Sequence, residues 1–345
     1  MRRTLIAVLA SCALLAALAA PAGAHSSGDG SGGVDTTKLP VGSTPVSIAM
    51  AGKVFSCQTS FPSNVPGAFA TGSWFNSDST WDLTKKPTVD GSVSWPQANI
   101  TITTSGTKRV VSGNGLPTKE TTGTFPVAST DDAYNYDRNP NTISAQTVSI
   151  SLPKSPKVAA TSTCLGLGTI GVLVNGVQLF NALDAGGRDA AAYEIQDSCQ
   201  GHPEQGGTYH YHSISSCVLD RLDAGSGHSK LVGYATDGFG IYGPRGTNGK
   251  NVTDADLDAC HGHTHTVKFN GKMVKVYHYH ATAEYPYTIG CYKGTPVSSH
   301  TGNAAGTQPS GSSQTAGGPP AGGPPAGDPP AGGPPAGGPP PGAPG

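Results

Sequence analysis

The sequence predicts a mainly β protein, a sandwich or barrel-like fold with short helices, held by disulfides. Short runs rich in Val, Ile and Thr recur through the middle of the chain. Gly and Pro, 49 and 29 of 345 residues, punctuate them as turns between strands do. Six cysteines remain once an export signal is removed, and six in an exported chain imply three disulfides.

Taken in order, residues 1–24 read as a signal peptide. Arg2 and Arg3 open it, an apolar run extends from Thr4 to Ala20, and Ala22-Gly23-Ala24 supplies small residues for cleavage. A competing reading takes Leu9-Ala10-Ser11-Cys12 as a lipoprotein signal, which would anchor the chain by lipid through Cys12. The apolar run continues past that cysteine, which favours secretion. Residues 25–44 are Gly/Ser-rich and read as a flexible lead. Residues 45–300 hold the folded domain. Strands are expected over 92–95, 99–104, 107–112, 147–152, 171–180 and 231–235, with short helices over 185–195 and 254–259. Residues 301–345 contain 13 Pro and 14 Gly and repeat Gly-Gly-Pro-Pro-Ala from Gly317, so they read as a disordered tail. Such a tail is a candidate for contact with a cell wall. No stretch after the signal approaches 18 apolar residues, so no membrane-spanning helix is expected.

The charge balance excludes two classes of partner. With 21 basic and 22 acidic residues the net charge is −1, which fits neither an electrostatic nucleic-acid binder nor a polybasic membrane protein. Gly166, Gly168 and Gly171 match a bare Gly-x-Gly-x-x-Gly, but a strand-like run follows them where a dinucleotide site needs a helix. A Gly-x-Ser-x-Gly elbow is missing. The run from Asp254 to Asp258 begins like a calcium loop and fails at Ala259 and His265.

Most of the 11 histidines fall in two related segments. The first runs Cys199-Gln200-Gly201-His202, Tyr209-His210-Tyr211-His212, Cys217. The second runs Cys260-His261-Gly262-His263, Tyr277-His278-Tyr279-His280, Cys291. The shared order marks an internal repeat. On a strand, side chains alternate between faces, so His210 and His212 share one face and Tyr209 and Tyr211 the other. Histidines at i and i+2 stand about 6.5–7 Å apart at Cα and can converge on one ion. His202 and His263 can each supply a third nitrogen. The expected metal ligands are therefore His202, His210, His212, His263, His278 and His280, in one shared site or two.

Imidazole ligands and oxidised cysteines point to Cu or Zn. His261 and His265 flank His263 and are candidates to join or support the site, while His228 and His300 lie in Gly/Ser-rich stretches and read as solvated. His25 would begin the mature chain, but its flexible surroundings argue against a preorganised copper brace of the lytic polysaccharide monooxygenase kind. Sequence alone permits 15 disulfide connectivities. Bridges Cys199–Cys217 and Cys260–Cys291 would close the two segments around their histidines, leaving Cys57–Cys164.

At these residues the chain resembles the YHYH domain family. Supporting stretches are Gly113-Asn114-Gly115-Leu116-Pro117, Asn139-Pro140-Asn141, Val174-Asn175-Gly176-Val177, Asp237 to Pro244 and Tyr285 to Cys291. The resemblance is strongest over 109–296. It implies an exported bacterial protein and a metal site, and it implies no reaction. Two departures stand out: Thr118-Lys119-Glu120 follows the Asn-Gly-x-Pro turn where the resemblance implies a His in many relatives, and Gly240 stands where relatives often have Pro. Asp237 is a candidate to hydrogen-bond a ligand histidine, or to stabilise a turn before Gly238.

Three functions compete. A secreted metal-binding protein needs only the histidines. An extracellular metalloenzyme needs a base as well, and Glu204 and Glu284 are the acidic residues nearest the motifs. A surface or adhesion module would use the histidines structurally.

Overall fold

The structure, a computed structural model, describes residues 34–63, 67–298 and 300–303. The expected signal peptide, Cys12, His25 and the tail beyond Asn303 lie outside the described residues. Within the expected lead, strand β1 (Leu39–Pro40) pairs with β2 (Thr80–Trp81), and Leu39 is only 1% exposed. The Gly42 amide donates to the Asp189 carboxylate at 2.8 Å. Residues 34–44 are thus part of the domain, because an apolar side chain among the Gly and Ser finds a place in its core.

Alternation of apolar and hydroxyl residues builds the first sheet. β3 (Ile100–Ser105) and β4 (Lys108–Gly113) form a hairpin, and β5 (Gln146–Pro153) pairs with β4. Val148, Ile150 and Leu152 of β5 turn inward, while Thr147, Ser149 and Ser151 face solvent. His300–Asn303 pairs along the other edge of β5, so this strand carries the domain a few residues past the expected boundary at 300.

The second sheet is mixed and has eight strands. They are β6 (Thr169–Leu173), β7 (Gln178–Phe180), β8 (Gly201–Pro203), β9 (Tyr209–Tyr211), β10 (Leu231–Ala235), β11 (Gly240–Tyr242), β12 (Gly262–Phe269) and β13 (Lys272–His280). Their spatial order is β12-β13-β11-β10-β6-β7-β9-β8. The order reads the same from either end: two hairpins meet back to back at β6–β10, and each is extended outward by a parallel strand and its hairpin partner. Helices α1 (Ala190–Tyr193) and α2 (Ser216–Leu222) lie between strands of the first half and at its end.

The two sheets pack as a sandwich at that seam. Val111, Val148, Ile150 and Leu152 meet Val172 of β6, with Tyr234 of β10 beside them. Buried Arg109 crosses the same layer, its guanidinium 3.9 Å from the Tyr234 ring centre and 5.0 Å from that of Phe269. The tyrosines of both motifs lie in the main core, with Leu173, Leu179, Phe239 and Ile241.

Local expectations differ in five places. Of 92–95, only Val93 pairs, in a single bridge to Thr122. The run 171–180 breaks into a hairpin because Asn175-Gly176 turns the chain, with Gly176 at φ 98°. The helix expected over 185–195 shrinks to one turn capped by Asp189, and the one over 254–259 to a 3-10 turn at Asp254–Asp256. Helix α2 was not anticipated. Three disulfides join Cys57–Cys164, Cys199–Cys217 and Cys260–Cys291.

Candidate metal centre

Each half of the sheet builds its histidine cluster by the same local steps. A turn comes first. Asp197 Oδ1 accepts from the amides of Cys199 (3.0 Å) and Gly201 (3.1 Å), and Asp258 Oδ1 accepts from those of Cys260 (2.9 Å) and Gly262 (3.3 Å). The next residue adopts a left-handed backbone in both copies, Gln200 at φ 65° and His261 at φ 71°. The glycine that follows has a steric reason. A Cβ at Gly201 would lie 2.3 Å from the Tyr209 hydroxyl, and one at Gly262 would lie 2.4 Å from that of Tyr277. These hydroxyls donate to the same aspartates, Tyr209 to Asp197 at 2.8 Å and Tyr277 to Asp258 at 2.9 Å.

Pairing then sets the histidines. His202 lies opposite His210, and His263 opposite His278, so cross-strand neighbours share the face on which His212 and His280 also stand. The other face, bearing the tyrosines, fills the core. The result is two groups of nitrogens, each within 4.8 Å of one another: His202, His210 and His212 in the first half, and His228, His263, His278 and His280 in the second. The six expected ligands thus divide three and three. The groups stand five strand steps apart in the sheet order, roughly 24 Å along the sheet.

Hydrogen bonds decide which ring nitrogen is free. His210 Nδ1 donates to Thr208 O (3.0 Å), and His278 Nδ1 to Val276 O (3.1 Å). His212 Nδ1 donates to Asn181 O (2.5 Å), and His280 Nδ1 to Gly243 O (2.6 Å). A carbonyl oxygen only accepts, so Nδ1 carries the proton and Nε2 of the neutral ring presents a lone pair. These lone pairs face one another. His210 and His212 Nε2 are 3.1 Å apart, and His228 and His278 Nε2 are 3.2 Å apart, with His228 Nδ1 donating to Ser229 O. Nitrogens about 2.05 Å from a tetrahedral ion stand about 3.3 Å from each other. His202, His263 and His280 each have a buried Nε2 without a hydrogen-bond partner.

Burial keeps most of these rings neutral. Burial and neighbouring imidazoles hold His202 and His210 well below the ordinary histidine range. His278 is pushed down to about 3 and His280 to about 2, mainly by burial. His263 falls to about 4 through burial and the adjacent His265. His212 differs: burial pulls it down, but the Glu194 carboxylate outweighs that and raises it.

Other candidates have other places. Asp237 accepts from the Tyr279 hydroxyl (2.6 Å) and the amides of Phe239 (3.1 Å) and Gly294 (2.9 Å), so it braces a turn and a motif tyrosine where contact with a ligand histidine was one expectation. His261 points away from the cluster, its Nε2 2.9 Å from Thr282 Oγ1 and its Nδ1 3.2 Å from Asp254. The left-handed turn at His261 directs it there. His265 lies against His263 with ring centres 3.9 Å apart and the rings tilted by 32°. Glu204 folds onto its own loop at Gly206 and Thr208, and Glu284 accepts from the Asp254 amide. Glu120 is buried against Arg221 and Asn175.

His228, expected to be solvated, is a member of the second cluster, because its glycine-flanked loop folds over β13. Its sequence setting carries no sign of this. The aspartates of the turns do have one: Asp-x-Cys-x-Gly-His stands at Asp197 and again at Asp258. The repeat also extends to Asn175-Gly176 and Asp237-Gly238, whose side chains make matching bonds to the amides of Val177 and Phe239.

No curated protein and no solved structure matches the chain. A family model described as YHYH protein matches residues 149–255, which include the first Tyr-His-Tyr-His and end before the second. Residues 149–255 of this chain are thus similar to the YHYH family, in agreement with the resemblance carried by the motif.

Proposed function

We propose that the chain is a secreted metal-binding protein that holds Cu or Zn in two histidine clusters, one in each half of the duplicated sheet. One observation carries the reading. Within each cluster, two Nε2 atoms whose rings have spent their Nδ1 protons on carbonyls stand 3.1–3.2 Å apart. Bare lone pairs at that distance repel unless a cation lies between them. A proton held near Glu194 would relieve the first pair, but no carboxylate belongs to the second group. Imidazole donors suit copper and zinc, and the fixed Nδ1 bonds orient the rings toward a shared point.

The test is metal analysis of the purified mature chain after exposure to copper and zinc. About two ions per chain are expected, and none in a variant with His210, His212, His278 and His280 changed to Ala. Equal metal in the two proteins would leave the histidines a structural role only.

A further inference from the structure

The duplicated strands supply three imidazoles to each cluster, but the fourth group differs. In the second cluster it is His228, from the loop between α2 and β10. In the first, Glu194 turns its carboxylate toward the rings. Its Oε2 lies 3.5 Å from His202 Nε2 and 3.3 Å from His212 Nε2. That oxygen is shielded from solvent and has no hydrogen-bond partner, and neither has His202 Nε2. A buried carboxylate oxygen in that condition costs stability unless something else satisfies it. The spacings match the edge of a tetrahedron around an ion, about 3.3 Å for ligands at 2.0–2.1 Å.

The carboxylate arrives on a rigid support. Glu194 ends α1, its amide donating to Ala190 O at 3.0 Å. Asp189 caps the start of that turn through the Ala192 amide, and Asp137 accepts from the next amide, Ile195.

We propose that Glu194 Oε2 is the fourth ligand of the first cluster, making it a closed three-histidine, one-carboxylate site for a divalent ion of the zinc class. This rests on the metal-binding reading above. The carboxylate brings a negative charge that the all-histidine second cluster lacks. A divalent ion therefore keeps a net charge of +1 in the first site and +2 in the second. A tetrahedral set suits Zn(II), whereas Cu(II) prefers a tetragonal one, so the geometry of the first site favours zinc. His202, His210 and His212 are only 4%, 3% and 5% exposed, which fits retention more than exchange.

The experiment uses the full disulfide-bonded chain carrying His278→Ala and His280→Ala, so that the first site alone is read. Zn(II) affinity is measured by competition with a chromophoric chelator, and Co(II) is substituted for its visible spectrum. Glu194→Gln should weaken Zn(II) by about 100-fold or more, beyond the 10–100-fold typical of losing an outer hydrogen-bond partner. It should also change the Co(II) spectrum, and Glu194→Asp should recover part of the affinity. Unchanged affinity and spectrum in Glu194→Gln, with binding still lost in His210→Ala, would overturn the carboxylate assignment and leave the metal-binding reading intact. A wild-type chain that takes up no ion would overturn both. If Glu194→Gln does not fold, the infrared difference spectrum of the double-alanine chain with and without Zn(II) decides. A shifted carboxylate stretch supports the assignment, and its absence refutes it.

Discussion

The two halves of the eight-stranded sheet match strand for strand, yet their histidine clusters differ. Both place His-x-His on the strand beside a parallel partner and set a third histidine opposite. In the first half the rings are buried and a carboxylate stands next to them. In the second, His228 and His263 are half-buried, and the rings beside them are imidazoles and Tyr242. Duplication copied the strand and its turn. The segments that connect the strands differ between the halves and give each cluster its own fourth group, and so its own charge and access.

The largest effect that would test this comparison is loss of one whole ion. His210→Ala with His212→Ala should remove the first ion and leave the second, and His278→Ala with His280→Ala should do the reverse, as counted by metal analysis. If either double variant empties both clusters, they are not independent sites.

Acid should separate the clusters next. His278 and His280, pushed down to about 3 and about 2, stay neutral in the folded, metal-free chain while the unfolded chain protonates near 6.5. The unfolded state then binds more protons, so stability contributed by these two rings is lost as pH falls below 6.5. The loss is about 1.4 kcal/mol per pH unit for each fully neutral ring. Asp137 and Asp189, raised by burial to about 6, act in the opposite direction as pH falls below 6. Nitrogen NMR of the metal-free chain near pH 6 resolves the rings individually. His278 and His280 should appear neutral with the proton on Nδ1, and His212, raised by Glu194, should be the most protonated of the buried rings. A protonated His278 or His280 there would remove the contrast between the clusters.

The turn glycines probe what the halves share. Gly201→Ala and Gly262→Ala each drive a methyl group into a tyrosine hydroxyl, so both should cost about 1–3 kcal/mol in denaturant unfolding. A large cost in one half only would break the equivalence of the turns.

The smallest effect separates the tyrosines. Tyr209→Phe leaves the fully buried Asp197 short of a donor, at about 1–2 kcal/mol. Tyr277→Phe should cost less, because Asp258 is less buried and keeps Lys293 at 2.8 Å. The reverse order in thermal melting would mean that burial does not govern these two bonds.

Much of this was legible in the chain itself. The alternation of Val148, Ile150 and Leu152 with Thr147, Ser149 and Ser151 marked β5, and Tyr-His-Tyr-His marked a strand with one core face and one histidine face. The repeated Cys-x-Gly-His placed the third histidine. The turn at Asn175-Gly176 has its own sign, an Asn-Gly pair between apolar residues, whereas Leu39 is masked by its Gly/Ser-rich surroundings. Glu194 lies eight residues before His202 with no motif around it, and His228 sits among glycines that suggested solvent.

The sequence by itself determined which histidines share a face and which tyrosines oppose them, because strand alternation is local and needs no partner. Tertiary structure decided that there are two clusters, that Asp237 serves a tyrosine, and that Glu194 and His228 complete the groups. Those outcomes depend on where loops land after the sheet has closed, and a loop's landing place is set by distant packing that leaves no periodic trace in the chain.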